Sequence, residues 1–87
     1  MKQIYNLIHL GKNIEALNLI NAEIELETEN DELYYLRGKI HQRMHNWKEA
    51  IENYQQAVFL NKQSPATEAL KYINNILSFY NKDIYNQ

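Results

Sequence analysis

The sequence predicts an all-α protein of five helices, and three observations support that prediction. The 87 residues include only two glycines and one proline, too few for the tight turns of a sheet. Apolar residues recur at steps of three and four, the spacing that gives a helix one apolar face. The pair Ala16-Leu17 also returns further along the chain as Ala50-Ile51, which indicates an internal repeat.

The first two predicted helices form a hairpin. Helix one covers about residues 2–10 and ends at Gly11, because glycine adopts the left-handed conformation of a helix stop without strain. Helix two covers about residues 13–26, and Asn13 is positioned to cap its free amides. The apolar stripes of the two helices are formed by Ile4, Leu7, Ile8, Ala16, Leu17, Ile20 and Ile24.

The third and fourth predicted helices form a second hairpin. Thr28 or Asn30 can cap helix three, which begins near residue 31 and continues to about residue 44. Asn46 and Glu49 have the spacing of a capping box at the start of helix four, which covers roughly residues 47–60.

Ser64-Pro65 is the strongest helix-start signal in the chain. Serine caps a helix, and proline is tolerated in the first turn, where its missing amide costs nothing. We predict a fifth helix from this signal to about Tyr80, followed by a tail over residues 81–87.

The second hairpin resembles a tetratricopeptide repeat, and the interval from Ala16 to Ala50 equals the period of that family. Gly38 and Ala50 are small where two antiparallel helices must approach, Ala57 occupies the family's second alanine site, and His41 stands at its tyrosine site. The positions that define the fold by this resemblance are Tyr34, Gly38, Trp47, Ala50, Tyr54 and Ala57.

The resemblance implies one domain over residues 1–87, built as a short right-handed solenoid. Its expected parts are a degenerate first repeat (1–29), a second repeat (30–63), a capping helix (64–80) and the tail (81–87). The style is that of short stand-alone bacterial repeat proteins.

Two charged residues depart from the family pattern. Glu23 occupies the first-repeat site that corresponds to Ala57, and Arg37 replaces the usual leucine. A carboxylate at such a site must be solvated or paired. We therefore consider an ion pair between Glu23 and Arg37, with two independently solvated side chains as the alternative.

The resemblance also implies a concave groove lined by the first helix of each repeat, which holds a peptide or a partner helix. The residues expected to face this groove are Tyr5, Ile8, His9, Glu32, Tyr35, Lys39, Gln42 and Arg43. Tyr35, Lys39 and Arg43 form an aromatic and basic strip that suits an acidic peptide, although such a strip can also be an ordinary solvated face.

A chaperone tail is not the expected ligand. The two-carboxylate clamp of chaperone-binding relatives needs lysine and asparagine where this chain has Met1, Tyr5 and Leu36. The net charge of −2 also disfavours nucleic acid and anionic membranes, which require clustered Lys and Arg. No segment has the run of about 18 apolar residues that a membrane span requires, so we expect a cytoplasmic protein, and whether a signal segment preceded the chain stays open.

Catalysis is not predicted. The chain has no glycine-rich phosphate loop, and Ser64 is better explained as a helix cap than as a nucleophile. No cysteine is present, and no cofactor is implied. A remote alternative is a metal-dependent activity at His41 and His45, which lie four residues apart on the predicted third helix.

The sequence thus favours a non-enzymatic adaptor or scaffold that binds a protein. A structural unit that self-associates through the solenoid ends, for example as a homodimer, is the main alternative, because such solenoids usually need three or more repeats for stability.

Overall fold

Five α-helices follow one another in the computed structural model, which describes the backbone of residues 1–85 and the side chains of residues 1–79. No strand occurs in that part of the chain. Each helix packs against the next, and the short connections make neighbouring helices antiparallel. The all-α prediction is confirmed. The helices are α1 (Lys2–His9), α2 (Asn13–Leu26), α3 (Asp31–Arg43), α4 (Trp47–Leu60) and α5 (Ala66–Tyr85).

The turns inside the two hairpins have the same backbone structure. Gly11 has φ +75°, and His45, at the equivalent position of the second hairpin, has φ +60°. In each turn the amide after this residue bonds the carbonyl five residues back, Lys12 to Leu7 at 2.9 Å and Asn46 to His41 at 2.8 Å. This is the Schellman arrangement that ends many helices. The internal repeat is therefore present in the backbone as well as in the sequence.

Two predicted helix caps are confirmed and two are wrong. The side chain of Asn30 accepts from the amide of Glu32 at 3.1 Å, and Ser64 Oγ accepts from the amide of Ala66 at 3.1 Å. Asn13 lies inside α2, and Asn46 makes no side-chain bond to the amides of α4. Asn46 has ψ 76°, short of the extended conformation that most side-chain caps adopt. Lys12, the residue before α2, has a similar ψ of 71°, so the same turn conformation precedes α2 and α4.

The last helix is longer than the sequence predicts. α5 continues to Tyr85, whereas we expected it to end near Tyr80 and a tail to follow. Residues 81–85 of the expected tail are therefore helical, because no glycine or proline interrupts them. The last two residues of that tail, 86–87, lie outside the described part of the chain.

The hydrophobic core consists of two clusters along the stack of helices. The first lies between α1, α2 and α3 and contains Ile4, Ile8, Ala16, Ile20, Leu33, Leu36 and Ile40. The second lies between α4 and α5 and contains Ala50, Tyr54, Ala57, Ala66 and Ile73. Tyr35 contacts both clusters, so α3 joins the two parts of the core.

The crossing of α3 and α4 is close because Gly38 lacks a side chain. A Cβ at this position would lie 2.7 Å from both Cδ1 and Cε1 of Tyr54 and 3.2 Å from the carbonyl oxygen of Ala50. Ala50 and Ala57 are fully buried on the facing helix. Small residues therefore set the distance between these helices, and the ring of Tyr54 fills the space that they leave.

Candidate protein-binding groove between α3 and α5

An open groove of about 650 Å³ lies between α3, the α3–α4 turn and the first half of α5. We call it the α3–α5 groove. Its size is in the range of ligand-binding clefts in proteins. The groove is lined by Tyr35, Lys39, Gln42, Arg43, His45, Trp47, Tyr54, Pro65, Glu68, Ala69 and Tyr72.

Tyr54 forms the rigid floor of the groove. The residue is only 1% exposed, and its hydroxyl donates to Gln42 Oε1 at 2.6 Å. Its ring centroid lies 5.9 Å from that of Tyr35, at a tilt of 35°. Burial raises the pKa of Tyr54 above its usual range, so the hydroxyl stays protonated and acts as a donor. The floor is thus held by both packing and a hydrogen bond.

Three aromatic side chains stand around this floor. Tyr35 comes from α3, Trp47 from the first turn of α4, and Tyr72 from α5, where it is 58% exposed. The ring of His45 meets that of Trp47 edge-on, with centroids 5.6 Å apart. Aromatic rings offer large contact areas at little cost in conformational entropy, and they are enriched at the centres of protein interfaces.

The charges at the rim of the groove are mostly basic. Lys39 Nζ lies 5.9 Å from the centroid of the Tyr35 ring. Glu68 is the acidic residue of the lining, and it pairs with Lys71 at 3.4 Å. Among the described side chains this is the only ion pair, so Lys39 has no carboxylate partner there. The ammonium group of Lys39 is available to a ligand.

Arg43 has a structural bond as well as a position on the rim. Its Nη1 donates to the carbonyl oxygen of Ile8, in the last turn of α1, at 2.6 Å. The same carbonyl accepts from the amide of Gly11 at 3.0 Å, so the Arg43 bond is a second one to it, and it ties the first hairpin to α3. Arg43 is therefore less free than Lys39 to reach a ligand.

Four of the eight predicted groove residues come together in this groove: Tyr35, Lys39, Gln42 and Arg43. Tyr5 and Glu32 form a separate contact between α1 and α3, in which the Tyr5 hydroxyl donates to the Glu32 carboxylate. This bond, together with burial, raises the pKa of Tyr5 to about 12. His9 is exposed outside the lining.

The prediction that Ile8 faces the groove is wrong. Ile8 is 5% exposed and packs in the first core cluster. The helix α1 has only one apolar face, and that face is used to cover α2 and α3. Ile8 is therefore unavailable to a ligand.

The contribution of α5 to the groove is not predicted from the sequence. The resemblance implies only a capping role for this helix, so Glu68, Ala69 and Tyr72 are absent from the predicted lining. One signal was present, because Tyr72 lies one repeat period after Gly38. A bulky aromatic at a small-residue site indicates a different environment at that end of the solenoid.

The ion pair between Glu23 and Arg37 is not present among the described side chains, and that hypothesis is wrong. Arg37 Nη1 donates to Asn21 Oδ1 at 3.0 Å, and its Nε donates to Asn53 Oδ1 at 2.6 Å. The guanidinium also lies 5.3 Å from the centroid of the Tyr34 ring. Burial lowers the pKa of Arg37, and neutral amides rather than a carboxylate satisfy its donors. Arg37 still links α2, α3 and α4.

His41 and His45 do not form the metal-binding pair that their spacing suggests. The helix α3 ends at Arg43, so His45 lies beyond it in the left-handed turn. The two rings have different neighbours, since His41 Nδ1 is 3.4 Å from Asn46 Nδ2 and His45 contacts Trp47. In the part of the chain with described side chains, no three His, Cys, Asp or Glu residues are grouped to hold a metal ion.

Comparison with known proteins agrees with this architecture. The sequence profile of the tetratricopeptide repeat matches residues 31–64. A Bacteroides fragilis protein whose structure was solved by NMR in solution has 42% sequence identity to this chain, and the two structures align with a TM-score of 0.85. The alignment covers 99% of this chain and 88% of the Bacteroides chain. The chain belongs to the tetratricopeptide repeat family. The matched residues contain the close crossing at Gly38 and all of the groove lining that α3 and α4 supply.

No protein with a curated description matches the chain significantly. The tetratricopeptide repeat is in general a fold for protein–protein interaction and not for catalysis. Among the described residues, no helix is long and apolar enough to cross a membrane.

Proposed function

We propose that this chain is a protein–protein interaction module that acts as an adaptor or scaffold, and that a segment of its partner binds in the α3–α5 groove. The observation that carries the proposal is the aromatic lining of this groove by Tyr35, Trp47 and Tyr72 above a rigid floor. Repeat solenoids use extended concave surfaces of this kind for binding. The chain acts without catalysis in this proposal.

Affinity capture from the native source, followed by mass spectrometry, tests the proposal. The wild-type chain and a Tyr72→Ala variant serve as baits, because Tyr72 is exposed and its truncation removes one wall without disturbing the core. Phe59→Ala is the matched control, since Phe59 is 81% exposed on α4 and does not line the groove. We expect a protein that the wild type and Phe59→Ala capture and that Tyr72→Ala loses. Equal capture by all three baits would place the binding surface elsewhere.

Self-association is a second candidate function, favoured by apolar side chains at the α1–α2 end of the stack. Leu10 and Ile14 are 66% and 64% exposed, beside the turn that contains Gly11. Light scattering over a range of concentrations tests this candidate. A dimer that Ile14→Lys dissociates would support it, and a monomer at every concentration would exclude it.

A further inference from the structure

The wall formed by Tyr72 distinguishes the α3–α5 groove from the repeat pattern. Tyr72 lies one repeat period after Gly38, whose missing side chain lets Tyr54 of the next helix pack against the backbone. On α5 the corresponding side chain is exposed and faces the groove instead. The apolar chamber between Tyr35, Trp47 and Tyr72 therefore depends on a residue that departs from the small-residue pattern. The ligand preference of this site therefore has to be inferred from the residues of this chain and not from the repeat family.

The charge around the chamber is opposite in sign to that of the whole chain. The net charge is −2, yet Lys39 and Arg43 are both on the groove rim. The lining contains one acidic side chain, Glu68, which forms an exposed ion pair with Lys71, so basic groups outnumber acidic ones around the groove. A cluster of aromatic rings such as this one can also bind a cation. The two basic groups at the rim disfavour a positively charged ligand, however. The charges at the rim therefore favour a ligand that carries a carboxylate.

We propose that the α3–α5 groove selects a partner segment in which a large apolar side chain is followed or preceded by an acidic residue. The apolar side chain packs between Tyr35, Trp47 and Tyr72, and the carboxylate pairs with Lys39 Nζ. Because Lys39 lies over the ring of Tyr35, the two subsites are adjacent. This inference rests on the proposed function and specifies its ligand.

Trp47 provides a direct optical probe of the groove. It is the only tryptophan of the chain, and it lines the groove. Its fluorescence therefore reports on occupancy of this site when the added peptide has no tryptophan. A random library of short peptides displayed on phage supplies the ligands, and synthetic copies of the selected peptides are then titrated against the protein.

We expect the selected peptides to share a large apolar residue beside Asp or Glu. Conversion of that carboxylate to its amide in the peptide should weaken binding to the wild type by up to about fivefold, the upper range for an exposed ion pair. The same change should have no effect on Lys39→Ala, because the partner charge is absent. Tyr72→Ala should weaken binding by about tenfold or more. Lys48→Glu on α4, outside the groove, is the control for Lys39→Glu, which should weaken binding more than the amide change does, because repulsion is added to the lost attraction.

Two results would overturn the inference in distinguishable ways. If selected peptides change Trp47 fluorescence but bind Lys39→Glu as tightly as Lys48→Glu, the carboxylate preference is wrong and the groove remains a binding site. If selected peptides leave Trp47 fluorescence unchanged, or none is selected, the inference and the proposed function both fail. Circular-dichroism melts of each variant identify any loss of binding that comes from unfolding.

Discussion

The substitution Gly38→Ala tests the close crossing of α3 and α4, because helix propensity predicts a gain in stability and packing predicts a loss. Alanine at an exposed helix position is more stable than glycine by about 1 kcal/mol. At position 38 the new Cβ would lie 2.7 Å from two ring atoms of Tyr54, whereas carbon atoms pack best at roughly 3.5–4.0 Å. The ring must therefore move by about 0.8 Å or more, and it is buried and held by Gln42 and Tyr35.

Overpacking of a rigid core costs typically about 1–3 kcal/mol, and a double contact at this distance belongs in the upper part of that range. After the gain in propensity is subtracted, Gly38→Ala should destabilise the protein by about 1–2 kcal/mol. For a domain of this size each kcal/mol corresponds to a fall of about 4–8 °C in Tm. Urea unfolding followed by circular dichroism measures the change.

Ala22→Gly is the matched control for Gly38→Ala. Ala22 is exposed on α2, so this change measures the propensity difference without a packing contribution. Both variants should be destabilised, although one gains and the other loses a methyl group. A Gly38→Ala variant as stable as the wild type, or more stable, would refute the packing argument for the α3–α4 crossing.

Three further predictions concern side chains near the turns and between the helices. His45→Gly should raise the free energy of unfolding by about 1 kcal/mol, because only glycine takes φ +60° without strain; an unchanged urea midpoint would contradict this. Burial lowers the pKa of His41, so protonation favours the unfolded chain and stability should fall as the pH drops below about 6.5. His41→Gln should flatten that fall, and parallel curves for the two proteins would show the reasoning to be wrong. The pKa of Tyr5 is raised to about 12, so its contribution is complete below about pH 10 and is lost as the pH rises towards 12. Tyr5→Phe should remove that part of the alkaline slope, which absorbance titration of the phenol checks independently.

Helix number and the close crossing were predictable because each depends on local or pairwise sequence features. Gly38 and Ala50 lie in one repeat, and their small size has only one good explanation on an apolar face. Gly11 follows the end of α1 as expected, because glycine takes the positive φ of this turn without strain. The caps at Asn13 and Asn46 failed because the backbone conformation of the preceding turn, which the sequence does not specify directly, decides whether the side chain can reach the amides.

The candidate site was only half predictable from the sequence. Tyr35 and Lys39 could be placed in a groove by the resemblance to the repeat family, but the opposite wall depends on how α5 packs against the stack. Ile8 was misplaced because the resemblance assigned it to the groove, although its apolar stripe with Ile4 already indicated the core. The partner of Arg37 was misjudged because Glu23 was chosen for its charge. Asn21, the residue on α2 that accepts from Arg37, lies two positions earlier and points to a different face of the helix.

Mapping a captured partner onto the protein by NMR tests the central claim most directly. Amide shifts of the isotope-labelled chain would be followed during titration with the partner identified by affinity capture. We predict that the largest changes lie on α3, the first turn of α4 and the first half of α5, around Lys39, Trp47 and Tyr72, and that Tyr72→Ala needs about tenfold more partner or above to show them. Changes confined to α2 and the outer face of α4, with the groove amides unmoved, would contradict binding in the α3–α5 groove.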